Sequence, residues 1–156
     1  MTAQVNRIYI ADENRNKVIG VKQATLEENK GIVGDRYHLR AERSLSSNAD
    51  QPAPINNISL ISQEALDTFL AHNNAEIDYG DFRRNIITSG VDLNSLVGRE
   101  FSIGDVRCIG TELCEPCAFL AATVHRAVLP ELVGNAGLRA TVINGGDIKE
   151  GSIISC

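Results

Sequence analysis

Two thiols stand three residues apart in Leu113-Cys114-Glu115-Pro116-Cys117-Ala118, and no other stretch of the chain is so well equipped for chemistry. A cysteine thiolate can attack a sulfur donor, hold a persulfide or ligate a transition metal. Pro116 suits the first turn of a helix. Behind it Leu120, Val124 and Val128 recur on one helical face until Pro130 ends the run. Cys117 would then lie where unpaired N–H groups and the positive helix end favour a thiolate, while Cys114 lies before that turn. The competing reading of either cysteine is a small buried apolar residue. A closed zinc site takes about four ligands, and this CxxC has no second pair or spaced histidines to complete it; Cys108, Cys156 and His125 would have to be brought in by the fold. A thioredoxin-like motif would come early in the chain, whereas one helix and one hairpin are all that is expected after Cys117.

Two further clusters carry charge. Gly31-Ile32-Val33-Gly34-Asp35-Arg36-Tyr37-His38 combines backbone freedom with an acceptor, an anion donor and a titratable ring. Its plain alternative is a turn with a solvated Asp–Arg pair. Asp81-Phe82-Arg83-Arg84-Asn85 sets adjacent arginines at the entry of an expected strand, where neighbours point to opposite faces, so that one could reach an anion. Two exposed arginines are the alternative there. His72 reads as a solvated residue of a helix's last turn and His125 as part of a polar helix face; neither is given a role.

These groups must be positioned by short strands. Arg7–Ile10 and Val18–Lys22 flank a polar stretch, residues 11–16, and read as a hairpin. Asn57–Ile61 reads as a strand running into a helix over residues 63–72. Ser62 is its N-cap, and Ile61 and Leu66 occupy hydrophobic-staple positions. Arg84–Thr88 is a further strand. Phe101–Ile103 and Val106–Ile109 form a hairpin about Gly104-Asp105, and Leu138–Ile143 and Ile148–Ser155 another about Asn144-Gly145-Gly146-Asp147. A second helix is expected over residues 117–129. Residues 40–56, polar with two prolines, predict a surface loop or a lid over a site. Many short strands without βαβ alternation predict a mainly β fold with a few helices.

At 156 residues the chain suits one domain, spanning residues 1–156. No stretch of about 20 apolar residues is present to span a membrane, and the N-terminal residues do not read as a secretory signal. The net charge of −5, the absence of Trp and the presence of just 3 Tyr and 4 Phe disfavour nucleic-acid binding. Four cysteines are too few for a disulfide scaffold, so a reducing, cytoplasmic setting is expected.

The order of the segments carries a resemblance. Gly34-Asp35-Arg36-Tyr37-His38 is followed by Phe82-Arg83-Arg84-Asn85-Ile86-Ile87 leading to Gly90. Then come Asp92-Leu93-Asn94-Ser95-Leu96-Val97-Gly98-Arg99-Glu100-Phe101-Ser102-Ile103-Gly104, Cys114-Glu115-Pro116-Cys117 and a Gly-rich C-terminal hairpin. Over residues 30–155 this resembles the MOSC family, named for the C-terminal part of molybdenum cofactor sulfurases. The resemblance implies a closed or nearly closed β-barrel. It implies a protein that binds the molybdenum cofactor (molybdopterin), stably or transiently, or carries sulfur for it. Alternatives within the same resemblance are a molybdenum-dependent reductase of N-hydroxylated compounds and a non-catalytic cofactor- or anion-binding module. Cys117 would be the persulfide carrier or molybdenum ligand, with Cys114 and His38 beside it in a catalytic set. Asp35, Arg36, Arg83, Arg84 and Asn85 would bind the cofactor. The implied partners are a separate sulfur donor such as a cysteine desulfurase, or an electron-transfer protein if the chain is an enzyme. No nucleic acid or membrane is implied, and 156 residues leave no room for the pyridoxal-phosphate desulfurase domain of full-length sulfurases. Gly151-Ser152 departs from the Gly-Asp common in the family's last hairpin.

Overall fold

The computed structural model describes residues 2–12, 18–47, 55–74, 76–115, 132 and 134–156. The strands are β1 (Gln4–Ile10), β2 (Ile19–Val21), β3 (Gln23–Glu27), β4 (Gly31–Ile32), β5 (Ile58–Ser62), β6 (Ile86–Ser89), β7 (Glu100–Ile103), β8 (Val106–Leu113), β9 (Leu138–Asn144), β10 (Gly146–Lys149) and β11 (Ile154–Ser155). The helices are α1 (Arg36–Ser47) and α2 (Gln63–His72). The fold is thus mainly β. Eight strands form one sheet in the order β11-β7-β8-β9-β5-β6-β1-β2, and β10, β3 and β4 form a second.

The large sheet is not closed by its strand ladders, so a barrel is not established. Its β11 edge does meet the start of β1 locally through the backbone. The Val5 N–H donates to the Ser152 carbonyl at 2.9 Å and the Ile154 N–H to the Ala3 carbonyl at 2.9 Å. One face carries the main core, with Ile8, Ile58, Leu60, Ile86, Leu138 and Val142 all buried. Each such side chain contributes about 1.5–3 kcal/mol by leaving water. A second cluster lies on the other face, where Leu66 and Phe69 of α2 pack with Ile61, Ile87, Phe82 and Cys114.

Two bulges decide which side chains reach which face. In β1 the register shifts between Val5 and Arg7, so Val5 and Ile8, three residues apart, both enter the main core. In β8 it shifts between Gly110 and Glu112. Cys108 therefore faces the main core while Cys114 joins the outer cluster, although strict alternation would put both on one face.

Several expectations are met. The hairpins β1–β2 and β7–β8 form as antiparallel pairs. Helix α2 spans Gln63–His72, and the Ser62 hydroxyl accepts from the Ala65 N–H at 2.9 Å. It supplies part of the crossover needed between the parallel strands β5 and β6. Two expectations are corrected. The Asn144–Asp147 turn does not fold β9 and β10 into a hairpin; β10 pairs with β3 instead. Gly145 permits the crossing, since a Cβ there would lie 2.4 Å from the Leu26 carbonyl oxygen. Residues 40–47 belong to α1 and not to a loop. Their helix buries few apolar groups, and its start is fixed by Asp35, as described below. The rest of the expected loop up to residue 54, and the expected helix over 117–129, lie outside the described residues. No helix among the described residues is long and apolar enough to cross a membrane.

Candidate functional site

Asp35 is completely buried and organises the start of α1. Its Oδ2 accepts the Tyr37 N–H at 3.2 Å, capping the helix, and its Oδ1 accepts the Ala11 N–H at 3.0 Å. Arg36 Nη1 lies 3.1 Å from the same Oδ1, and Arg36 Nη2 donates to the Arg83 carbonyl at 2.9 Å. The Arg36 guanidinium also sits 4.5 Å from the centre of the Tyr37 ring. This buried pair ties three places together: the end of β1, the start of α1 and the turn before β6. Breaking one partner of such a pair costs far more than the pair gains over apolar residues.

The arginines at 83 and 84 are not aimed by strand alternation, because β6 begins only at Ile86. Arg83 follows a 3-10 turn, Tyr79–Phe82, in the left-handed conformation at φ 60. Arg84 Nε donates to the Ala136 carbonyl at 2.9 Å. Asn85 is completely buried. Its Nδ2 donates to the Tyr9 carbonyl at 3.1 Å, and its Oδ1 accepts the Ser59 N–H at 3.0 Å and the Ser59 hydroxyl at 3.3 Å. It thereby staples β1 and β5 to the entry of β6.

Cys114 lies on this same outer face and is 1% exposed. Its N–H donates to the Gly137 carbonyl at 2.8 Å. Gly137 has φ 113, and a Cβ would stand 2.2 Å from the Leu60 carbonyl oxygen, so a glycine is required for this approach. Burial pushes the Cys114 thiol up; the charges of Arg84 and Arg139 pull it down, and Glu112 and Glu115 push it up further. Cys108, in the main core, is pushed up to about 12 by burial. Cys156 is exposed. Cys117 and His125 lie outside the described residues.

Arg139 is opposite Ser59 in the β5–β9 register, with Nε 3.8 Å from Glu112 Oε1. It shares a cavity of about 340 Å³ with Tyr37, Arg40, Ser44, Asn56 and Asn57. Arg40 lies 5.8 Å from the Tyr37 ring centre. The cavity thus has two guanidinium groups, an aromatic ring and several amide and hydroxyl groups, a donor set suited to an anion with an attached ring. His38 is not among the residues lining it; it packs beside Glu27 and Glu42. The structure therefore gathers Asp35, Arg36, the Arg83 backbone, Arg84, Asn85 and Cys114 about the entry of β6, and leaves His38 apart.

Arg40, Tyr37 and Arg139 were not singled out in the sequence. The signal for Arg139 was present: a charged residue between core-facing Leu138 and Ala140 must point outward from the sheet. Arg40 and Tyr37 depend on α1, whose polar sequence concealed it.

The family model described as "MOSC domain" matches residues 51–155. The chain belongs to the MOSC domain family. The matched MOSC span includes Arg83–Asn85 and the Cys114–Cys117 segment and begins after Asp35, Arg36 and His38. No curated protein matches the chain. Among solved structures, the MOSC chain is similar to the YUAD protein of Bacillus subtilis, with TM-score 0.78 and 20% identity over 99% of this chain and 94% of that one. It is also similar to YiiM of Geobacillus stearothermophilus, with TM-score 0.71 and 14% identity over 98% of this chain and 74% of that one. For YiiM of Escherichia coli the TM-score is 0.66 and the identity 16%, over 99% and 69%. At these identities the likeness is one of fold.

Proposed function

We propose that this MOSC protein binds the molybdenum cofactor or carries sulfur for it, with Cys117 as the persulfide carrier or molybdenum ligand. The observation that supports this most is the arginine-lined cavity. Arg40 and Arg139 line it with Tyr37, and Arg139 and Arg84 act electrostatically on Cys114, three residues before Cys117.

The described residues fit the anionic, ring-bearing end of a pterin cofactor. Arg40 and Arg139 would hold its phosphate through their planar donor forks, and Tyr37 would lie against the ring system. Arg36 would orient this end indirectly, because its guanidinium is committed to Asp35 and the Arg83 carbonyl. When bound, the cofactor would supply a redox-active molybdenum centre. Cys114 is poorly suited to nucleophilic work, since it is almost wholly buried and that burial pushes its thiol up. The reactive role therefore falls to Cys117.

In the carrier reading, the Cys117 thiolate attacks the outer sulfur of a donor persulfide. That sulfur moves to Cys117 as a persulfide, and the donor leaves as a thiolate. A cysteine desulfurase is the class of partner that supplies such sulfur; an electron-transfer protein takes its place if the bound molybdenum turns over.

Protein purified from a cofactor-producing host tests this directly. Equimolar pterin and molybdenum, or a reducible extra sulfur atom on the protein, is the expected result. Arg40→Ala with Arg139→Ala should lower the pterin content. Protein with neither pterin nor extra sulfur refutes the proposal.

A further inference from the structure

Glu27 of β3 and Glu42 of α1 converge on one histidine. His38 is 4% exposed. Its Nε2 lies 2.5 Å from Glu27 Oε1, and its Nδ1 lies 3.5 Å from Glu42 Oε1. One ligand atom from each residue can be chosen so that all three lie within 4.8 Å of one another. Each ring nitrogen thus has a carboxylate beside it; a cation would bind one of these nitrogens, with the half-exposed carboxylates turning to meet it.

We propose that Glu27, His38 and Glu42 form a divalent-cation site, separate from the arginine-lined cavity. The arrangement has the parts such a site needs. His38 and Glu42 are four residues apart on α1, the spacing that puts two side chains on one helix face. Glu27 comes from a different element, so a bound ion would cross-link α1 to β3. Burial fixes the imidazole, whereas the carboxylates are 46% and 52% exposed and can swing into bonding distance. Three protein ligands leave positions open for water or an anionic ligand. The single imidazole with two carboxylates suits Mn²⁺, Fe²⁺ or Zn²⁺. Lys30 Nζ, 3.9 Å from Glu42 Oε1, is the competing cation; it is partly exposed and free to turn away.

The test is titration of the full chain with Mn²⁺, read by the loss of the free-ion electron paramagnetic resonance signal. Mn²⁺ is chosen because thiolates bind it poorly, so the cysteines do not compete. One ion per chain is expected. Glu27→Gln and Glu42→Gln should each weaken binding by about tenfold or more, as a lost ligand must cost at least as much as a lost outer-shell partner. Both glutamates are half exposed, and thermal melts of the metal-free variants check that they fold. His38→Asn should abolish binding. No binding of Mn²⁺ at millimolar concentration overturns the proposal. Binding undiminished in both glutamine variants also overturns it and identifies an adventitious ion only.

Discussion

Replacing Asn85 by alanine should destabilise the protein by about 3 kcal/mol, and the structure says why. The side chain satisfies one buried backbone group, the Ser59 N–H at 3.0 Å, and one partly buried group, the Tyr9 carbonyl at 3.1 Å. Alanine leaves both without a partner. An unsatisfied buried group costs about 1–3 kcal/mol, so the two together cost roughly 2–6 kcal/mol. For a chain of this length each kcal/mol lowers Tm by about 2–4 °C, giving a shift of roughly 6–12 °C. Urea unfolding followed by far-UV circular dichroism measures the change. The midpoint should fall while the slope stays constant, since the surface exposed on unfolding is unaltered. Asn85→Asp sharpens the test. It keeps the acceptor facing Ser59 but turns an oxygen toward the Tyr9 carbonyl. Its deficit should be large at neutral pH and smaller near pH 4, where a protonated carboxyl, of ordinary pKa about 3.9, can donate again. An Asn85 that served only to touch a cofactor would leave stability unchanged. A loss below about 0.5 kcal/mol, the range of ordinary surface changes, refutes the staple.

Ser62→Ala removes the N-cap of α2 and should cost about 1 kcal/mol in the same urea assay. Cys108 gives a pH dependence of definite sign. Its folded pKa is raised from 9.0 to about 12, so the folded state holds a proton that the unfolded chain releases. Its contribution is complete below pH 9 and is lost as pH rises toward 12. The stability difference between wild type and Cys108→Ala should therefore narrow between neutral pH and pH 10.5; an unchanged difference contradicts the assignment.

Much of the strand framework was legible because apolar residues alternate and turn residues punctuate them. Helix α2 was readable from its cap and its apolar face. Helix α1 was not, because it buries Arg36, His38 and Ala41 rather than an apolar stripe. The β9–β10 turn looked local in sequence, but Gly145 permits a close approach to Leu26 and a non-local pairing. Of the candidate residues read from the sequence, Asp35, Arg36, Arg84, Asn85 and Cys114 lie about the entry of β6. Their division of labour was hidden, since it depends on partners distant in sequence, such as Ala11, Ser59 and Ala136. The outward turn of Cys114 also depends on a bulge that no residue type announces. His38 was grouped with Asp35 by proximity in sequence, yet one helical residue more or less changes the face a side chain occupies.

The division between Cys114 as a buried thiol and Cys117 as the reactive one is best tested by alkylation rate against pH. Cys114→Ser and Cys117→Ser are compared, each with Cys108 and Cys156 also replaced. Fast labelling near neutral pH should persist in Cys114→Ser and vanish in Cys117→Ser. Labelling that survives Cys117→Ser and vanishes in Cys114→Ser, or that rises only above about pH 8.5 in both, as for an ordinary thiol, contradicts the account.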